Sequence, residues 1–331
     1  MKVLLWHVHG SWTTSFVQGQ HEYLLPVTPE RDGDGRGRAD TWVWPESARE
    51  VPVDRLREEQ IDAVILQRTN EMELVTRWTG RVPGRDLPAV FLEHNTPKGD
   101  VPNSRHPMAD QRQIPIVHVT HFNKQFWDNG EAPVRVVEHG IIDPGERWTG
   151  ELDRAAVVVN EPVRRGRVTG TDLIPGFAAV APLDVYGMQV HLLPKHLGLE
   201  DDDRLAVHED FPQHRMHDEL ARHRAYVHPL RWTSLGLSLL EAMMLGLPVV
   251  VLASSEAIEA VPREAGFLST DVTVLQEGLR SLMNDKDLAA ACGAAARKAA
   301  LARYGVDRFL SDWDTLLSEL TTGDVSWRAQ A

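Results

Sequence analysis

Residues 226–259 read YVHPLRWTSLGLSLLEAMMLGLPVVVLASSEAIE, and the fold turns on how that string divides. Tyr226 and Val227 predict a strand, and a loop carrying Ser234 and Gly236 follows. The run from Leu237 to Leu245 predicts a helix. Gly246 then stands where a left-handed C-cap belongs, and Pro248 blocks continuation. Val249 to Leu252 is wholly apolar, as in a strand that a parallel sheet buries on both faces. The pattern is a strand-loop-helix-strand unit. Its loop brings the backbone N–H groups of Ser234, Leu235, Gly236 and Leu237 to the positive end of a helix dipole, where a diphosphate or other anion is stabilised. Glu241 stands about one turn into that helix, close enough to accept hydrogen bonds from a ligand's hydroxyls. On the residues alone, a plain packing unit with a solvated glutamate stands equally open.

The string GLSLLEAMMLGLPVVVL, followed by SSEAIEAV, resembles the C-terminal nucleotide-sugar site of retaining GT-B glycosyltransferases of the family-four type, glycosyl transferases group 1. That family carries two glutamates eight positions apart, then E-A-M-x-x-G-x-P-V-V. Here Glu241 is the second glutamate and EAMMLGLPVV is intact, but Thr233 replaces the first. The resemblance implies an α/β fold, GT-B, with two Rossmann-like domains whose parallel sheets face each other across a cleft. It also implies a nucleoside diphosphate sugar as co-substrate, with no cofactor and no metal. Within it, Thr233, Ser234, Leu235, Gly236, Leu237 and Glu241 hold the donor.

Upstream of this unit, AAVVVNEPVRRGRVTGTDLIPGF predicts a strand at 155–159, a basic glycine-containing loop, and a helix starting near Thr171. Guanidinium groups suit bidentate contact with diphosphate oxygens, so Arg164, Arg165 and Arg167 stand out; a solvated basic loop is the plain alternative. The family's loop carries an Arg and a Lys before a glycine, both on the diphosphate. Aligning Gly166 makes Arg165 the lysine equivalent, and aligning GTDLI makes it Thr169. Arg165 with Arg167 as helper is favoured, because a threonine supplies no charge. Downstream, residues 272–303 carry apolar residues at helical spacing. VDRFLSDWDTLLSEL at 306–320 places Phe309, Trp313, Leu316, Leu317 and Leu320 on one face. By composition this last helix either crosses back to the first domain, as in GT-B proteins, or caps the second; fraying is expected past Thr321.

The N-terminal half predicts a first strand at 2–8 ending in HVHG, with Gly10 allowing close approach of a ligand. PERDGDGRGRAD (29–40) predicts a mobile surface loop. Beyond it lie a charged helix (DRLREEQ), a strand at 61–67, a helix (NEMELVTRW) and the strand LPAVFLEHNTP, whose end presents Glu93, His94 and Asn95. Ligands of open α/β sheets collect at strand carboxyl ends, although a capped strand end is the plain reading of His94. The resemblance makes His94 the histidine facing the donor sugar, with Gly10 beside the donor, and HGIID at 139–143 the last turn of the N-terminal domain. The domains expected are 1–145 (acceptor), 151–305 (donor) and the terminal helix 306–320, with 143–150 as linker.

With 331 residues, two domains are the default. A formal charge of −13 leaves no basic surplus for nucleic acid. The single Cys292 excludes an internal disulfide and fits a cytoplasmic setting. No apolar run reaches the ~18 residues of a transmembrane span, and no zinc or Asp-x-Asp pattern is present. The resemblance implies transfer of a sugar from a nucleoside diphosphate sugar to an unspecified acceptor with retention of configuration. His94, Arg165 and Glu241 are its candidate catalytic residues. An inactive GT-B-like binding or scaffold protein is the alternative, because Thr233 cannot make the contacts of a glutamate.

Overall fold

The computed structural model describes residues 1–39 and 42–323. Two compact units divide the chain. One comprises Met1–Gly140 together with the segment from Val306 onward; the other is Ile141–Gly305.

The first unit is built on a seven-stranded parallel sheet. Its strands are β1 (Lys2–Leu5), β2 (Glu22–Val27), β3 (Ala48–Pro52), β4 (Ala63–Leu66), β5 (Ala89–Glu93), β6 (Ile116–His118) and β7 (Val134–Val136), in the order β3-β2-β1-β4-β5-β6-β7. The AVIL run of β4 and the AVFLE run of β5 are buried throughout, as strands covered on both faces must be. Strand order reverses between β1 and β4, so their carboxyl ends open a crevice there. The terminal helix Val306–Thr322 belongs to this unit. It buries Phe309, Trp313, Leu316 and Leu317 in one core with Trp12, Phe16 and Tyr23. The expected fraying past Thr321 falls mainly on 324–331, outside the described residues; Thr322 is helical.

Two sequence expectations for this unit change. DRLREEQ forms only a 3-10 turn at Leu56–Glu58, with Leu56 its one buried residue; a single apolar anchor cannot hold a longer helix against the core. The loop after residue 28 is not loose where it is described. Both terminal nitrogens of Arg31 donate to Glu50 (2.9 and 2.7 Å), the Trp6 indole N–H donates to the Asp34 carbonyl (2.7 Å), and Arg68 donates to the Gly33 carbonyl (2.6 Å). β2 and β3 themselves were not legible, since each contains a proline and β3 is an edge strand with charged, half-buried positions at Arg49 and Glu50.

The second unit carries a six-stranded parallel sheet of β8 (Leu152–Val158), β9 (Leu183–Gly187), β10 (Leu205–Glu209), β11 (His223–His228), β12 (Val249–Leu252) and β13 (Gly266–Ser269), ordered β10-β9-β8-β11-β12-β13. The first six strands of the other sheet follow the same pattern, so both units are Rossmann-like. Here the order reverses between β8 and β11. The helix Leu237–Leu245 ends on Gly246 at φ +92°, as its sequence demands. Asp271 and Asp285 cap the helices Val272–Asn284 and Lys286–Tyr304 by accepting from Thr273 and Leu288 N–H groups (both 2.9 Å). The segment 143–150 is not a free tether. Asp143 pairs with Arg297 (2.8 Å), and the Trp148 indole donates to the His223 carbonyl (2.9 Å), which fastens it to this unit. Among the described residues, no helix is long and apolar enough to cross a membrane.

Candidate functional site

In the second unit the expected arginine loop is two short helical turns, Pro162–Arg165 and Gly166–Thr169, that follow β8, and residues 229–236 leave the end of β11, so both segments line the point where strand order reverses. The two segments are laced together. Arg231 and Trp232 N–H groups donate to the Val168 carbonyl (2.9 and 3.3 Å). The Arg231 guanidinium donates to Asp172 (2.9 Å) and to the Arg167 carbonyl (3.0 Å). Gly170 makes the approach feasible: at φ +72°, a Cβ there would stand 2.0 Å from the Pro229 carbonyl oxygen.

That lacing sorts the arginines. Arg164 pairs with Glu161 (2.8 Å), and Arg167, 75 % exposed, pairs with Asp172 (2.8 Å). Arg165 is half-buried and its guanidinium has no hydrogen bond or ion pair among the described residues; burial, then the neighbouring Arg164, lowers its pKa. The Glu161 charge offsets this only in part, and a partly desolvated cation with no carboxylate bonded to it is suited to receive an anion. Thr169 is fully buried, and its hydroxyl donates to the Gly166 carbonyl and meets the Thr171 hydroxyl (3.0 Å each). Its side chain is thus spent inside the loop rather than offered to a ligand.

Gly236 caps the helix Leu237–Leu245 in an extended conformation. A Cβ on it would lie 2.4 Å from Cε1 of His228, so the loop is pressed directly onto that buried ring. Burial alone drives His228 down to about 3 and keeps it neutral. The helix start has neither a side-chain cap nor an acidic residue in its first turn, which leaves its N–H groups to other acceptors. Ser234 and Leu235 are buried, and the Ser234 carbonyl accepts from the Glu256 N–H (3.3 Å). Thr233 is half-buried, with its hydroxyl unpaired among the described residues. Glu241 is 3 % exposed. The Gln213 amide donates to its Oε1 (2.8 Å), and His217 Nε2 lies 3.4 Å from its Oε2 without making a hydrogen bond.

In the first unit, Gly10 opens the helix Gly10–Phe16, and its Cβ position is 3.3 Å from the Trp42 indole nitrogen. His94 follows β5. Its Nε2 meets Gln67 Oε1 at 3.1 Å, while the Gln67 amide nitrogen donates to the Trp6 carbonyl (2.8 Å). The Gln67 oxygen is therefore the acceptor, so His94 carries its proton on Nε2 and presents Nδ1 as a lone pair. The rings of His9 and His139 lie 3.8 and 6.5 Å from that of His94. Burial, then the charge His9 and His139 would carry, holds His94 well below the usual imidazole range. Burial likewise takes His9 to about 4 and His139 to about 3. The cluster is thus uncharged near neutral pH. Among the described residues, no group of three His, Cys, Asp or Glu side chains is arranged to hold a metal ion.

Each unit therefore gathers its own candidates: Gly10 and His94 in the first, Arg165, Arg167 and residues 233–241 in the second. Sequence reasoning missed Gln67, His139, Gln213 and His217. Only the last pair left a signal, two polar residues four apart on a helix beside the Glu241 helix. His7, two residues before His9, packs edge-on against Trp44 (5.0 Å) and stays apart from the cluster around His94.

Residues 189–299 match the family described as glycosyl transferases group 1. No curated protein matches the sequence. Solved structures are similar over nearly the whole chain. A sucrose-phosphate synthase from Thermosynechococcus elongatus is 12 % identical, with a TM-score of 0.71 over 98 % of this chain and all of that one. Anabaena HepE, solved with UDP, is 14 % identical, with a TM-score of 0.68 over 96 % of this chain and all of that one. A glycosyltransferase from Rickettsia africae is 13 % identical, with a TM-score of 0.67 over 97 % and 98 % of the two chains. The fold is accordingly that of the GT-B glycosyltransferases, two Rossmann-like domains with parallel sheets.

Proposed function

We propose that the protein transfers a sugar from a nucleoside diphosphate sugar to an acceptor, with retention of configuration and without a metal or cofactor. The observation that carries this reading is in the second unit. An unpaired, half-buried guanidinium at Arg165, an uncapped helix start at Gly236 and a buried carboxylate at Glu241 stand on loops and a helix that follow β8 and β11. An anion at the first two and a pair of hydroxyls at the third describe a nucleoside diphosphate. The match of 189–299 to the group 1 glycosyltransferases supports the same reading, as does UDP bound to the structurally similar Anabaena protein.

In the proposed reaction the bond between the anomeric carbon and the diphosphate oxygen breaks, and a bond to the acceptor oxygen forms. The acceptor's proton passes to the departing diphosphate. Arg165 and the helix start stabilise the charge that develops on that leaving group, with Arg167 held in reserve by Asp172. His94, neutral and offering Nδ1, accepts a hydrogen bond from a sugar or acceptor hydroxyl. The lone buried Cys292 accords with a cytoplasmic setting.

A thermal-shift panel of UDP-, GDP-, TDP- and ADP-sugars with the free nucleotides tests the reading. The expected result is a rise in midpoint for one base series, and nucleotide release once an acceptor is supplied. No shift with any member sinks the donor-site assignment. Thr233 favours one second reading: binding without nucleotide release for any acceptor would mark a scaffold on the same frame.

A further inference from the structure

A buried carboxylate usually finds a cation or several hydrogen-bond donors, because water no longer solvates it. Glu241 finds no lysine or arginine among the described residues, and one hydrogen-bond donor. Its side chain is 4 % exposed. It has one hydrogen bond, from the neutral Gln213 amide at 2.8 Å, and one imidazole, His217, at 3.4 Å with no bond made. An ionised carboxylate offers about four lone-pair positions, so most of its accepting capacity is unspent.

The two residues that touch it come from one helix, Gln213–Leu220, and stand four apart on the same face. An arginine there would have consumed both oxygens in a bidentate pair. The amide holds Oε1, and the His217 ring stands beside Oε2 without a hydrogen bond to it. We propose that Gln213 and His217 are positioning residues that clamp Glu241 so that its unspent lone pairs receive a vicinal diol. That diol is the ribose of the nucleoside diphosphate, and the inference rests on the nucleotide reading above.

The test is calorimetric titration of the full chain with the nucleoside diphosphate that binds best among UDP, GDP and ADP. The same titration is run with its 2′-deoxy counterpart and its monophosphate. The unsubstituted protein is expected to prefer the ribose form by about tenfold, the scale of a hydrogen bond to a charged group. In Gln213→Leu and in His217→Leu that preference is expected to shrink below about threefold, while the ratio of diphosphate to monophosphate affinity, set by Arg165, stays unchanged. A merely structural role would lower both ratios together or neither. Gln213→Asn, which keeps the amide and shortens its reach, takes the place of Gln213→Leu should that variant not fold. A full ribose preference in both substituted proteins overturns the clamp and leaves the proposed function standing, as does an unsubstituted protein that ignores the 2′-hydroxyl. Failure of every nucleoside diphosphate to bind the unsubstituted protein overturns the function, and the clamp with it.

Discussion

Half-burial removes part of the water from the Arg165 guanidinium, and no carboxylate bonds to it among the described residues; Arg164 and Arg167, one and two positions away, each pair with one. The expected consequence is a sharp difference among three neighbouring arginines. Arg165→Ala should weaken nucleotide binding by about 1–3 kcal/mol, the scale for losing a charged hydrogen-bond partner, whereas Arg164→Ala should change it by less than about 0.5 kcal/mol, as for an exposed pair. Titration of both variants with the nucleotide found in the thermal panel decides this, and equal losses would remove Arg165 from the site. Glu241→Ala should cost a similar 1–3 kcal/mol in the same titration. Residue identity at these positions was legible because charge and spacing carry it. Partnership was not: nothing in RRGR says that Glu161 takes the first arginine and Asp172 the last, since those pairings depend on the turns at Gly166 and Gly170. Nor does any pattern announce Gln67, which sets the His94 tautomer from just past β4, 27 positions earlier.

At the scale of elements, the arginine loop and the loop after β11 act as one piece because backbone meets backbone. Gly170→Ala puts a methyl group 2.0 Å from the Pro229 oxygen at a left-handed φ. It should destabilise the second unit by about 1–3 kcal/mol and lower nucleotide affinity as well. Urea denaturation followed by titration separates the two effects; unchanged values in both would mean that the lacing does not position Arg165. Strands and helices with strong apolar signals, such as β4, β12 and the helix Leu237–Leu245, were legible to within a residue or two. β2, β3 and the short turn at Leu56–Glu58 were not, because prolines and charged residues hide them and only their neighbours in the sheet specify them.

Across the whole molecule, burial leaves imidazoles that resist protonation, His9, His94 and His139 in the first unit and His228 in the second. All four fall below the unfolded value near ~6.5. The unfolded chain thus takes up protons that the folded one refuses. The stability these rings contribute is complete above about pH 6.5 and is lost as pH falls toward about 4 for His9 and about 3 for His139 and His228. Asp184 adds a lower step. Burial would raise it, but hydrogen bonds from His208, His223 and Arg154 hold it far below the carboxylate range, so its contribution is present above about pH 3.9 and lost beneath it. Urea midpoints should therefore decline steadily from pH 7 to pH 4; a flat profile would contradict the burial of the cluster. Trp313→Ala should cost about 3–5 kcal/mol by the same measurement, since the ring is 1 % exposed among Trp12, Phe16 and Phe309. The terminal helix has one more consequence, in the order of synthesis. A unit that starts at Met1 but needs Phe309 and Trp313 to close its core cannot finish folding while it emerges from the ribosome. The contiguous unit Ile141–Gly305 can complete itself first, reversing the usual N-to-C sequence of domain folding. A nascent chain stalled after residue 305 should then resist protease over its second unit while its first is still cut.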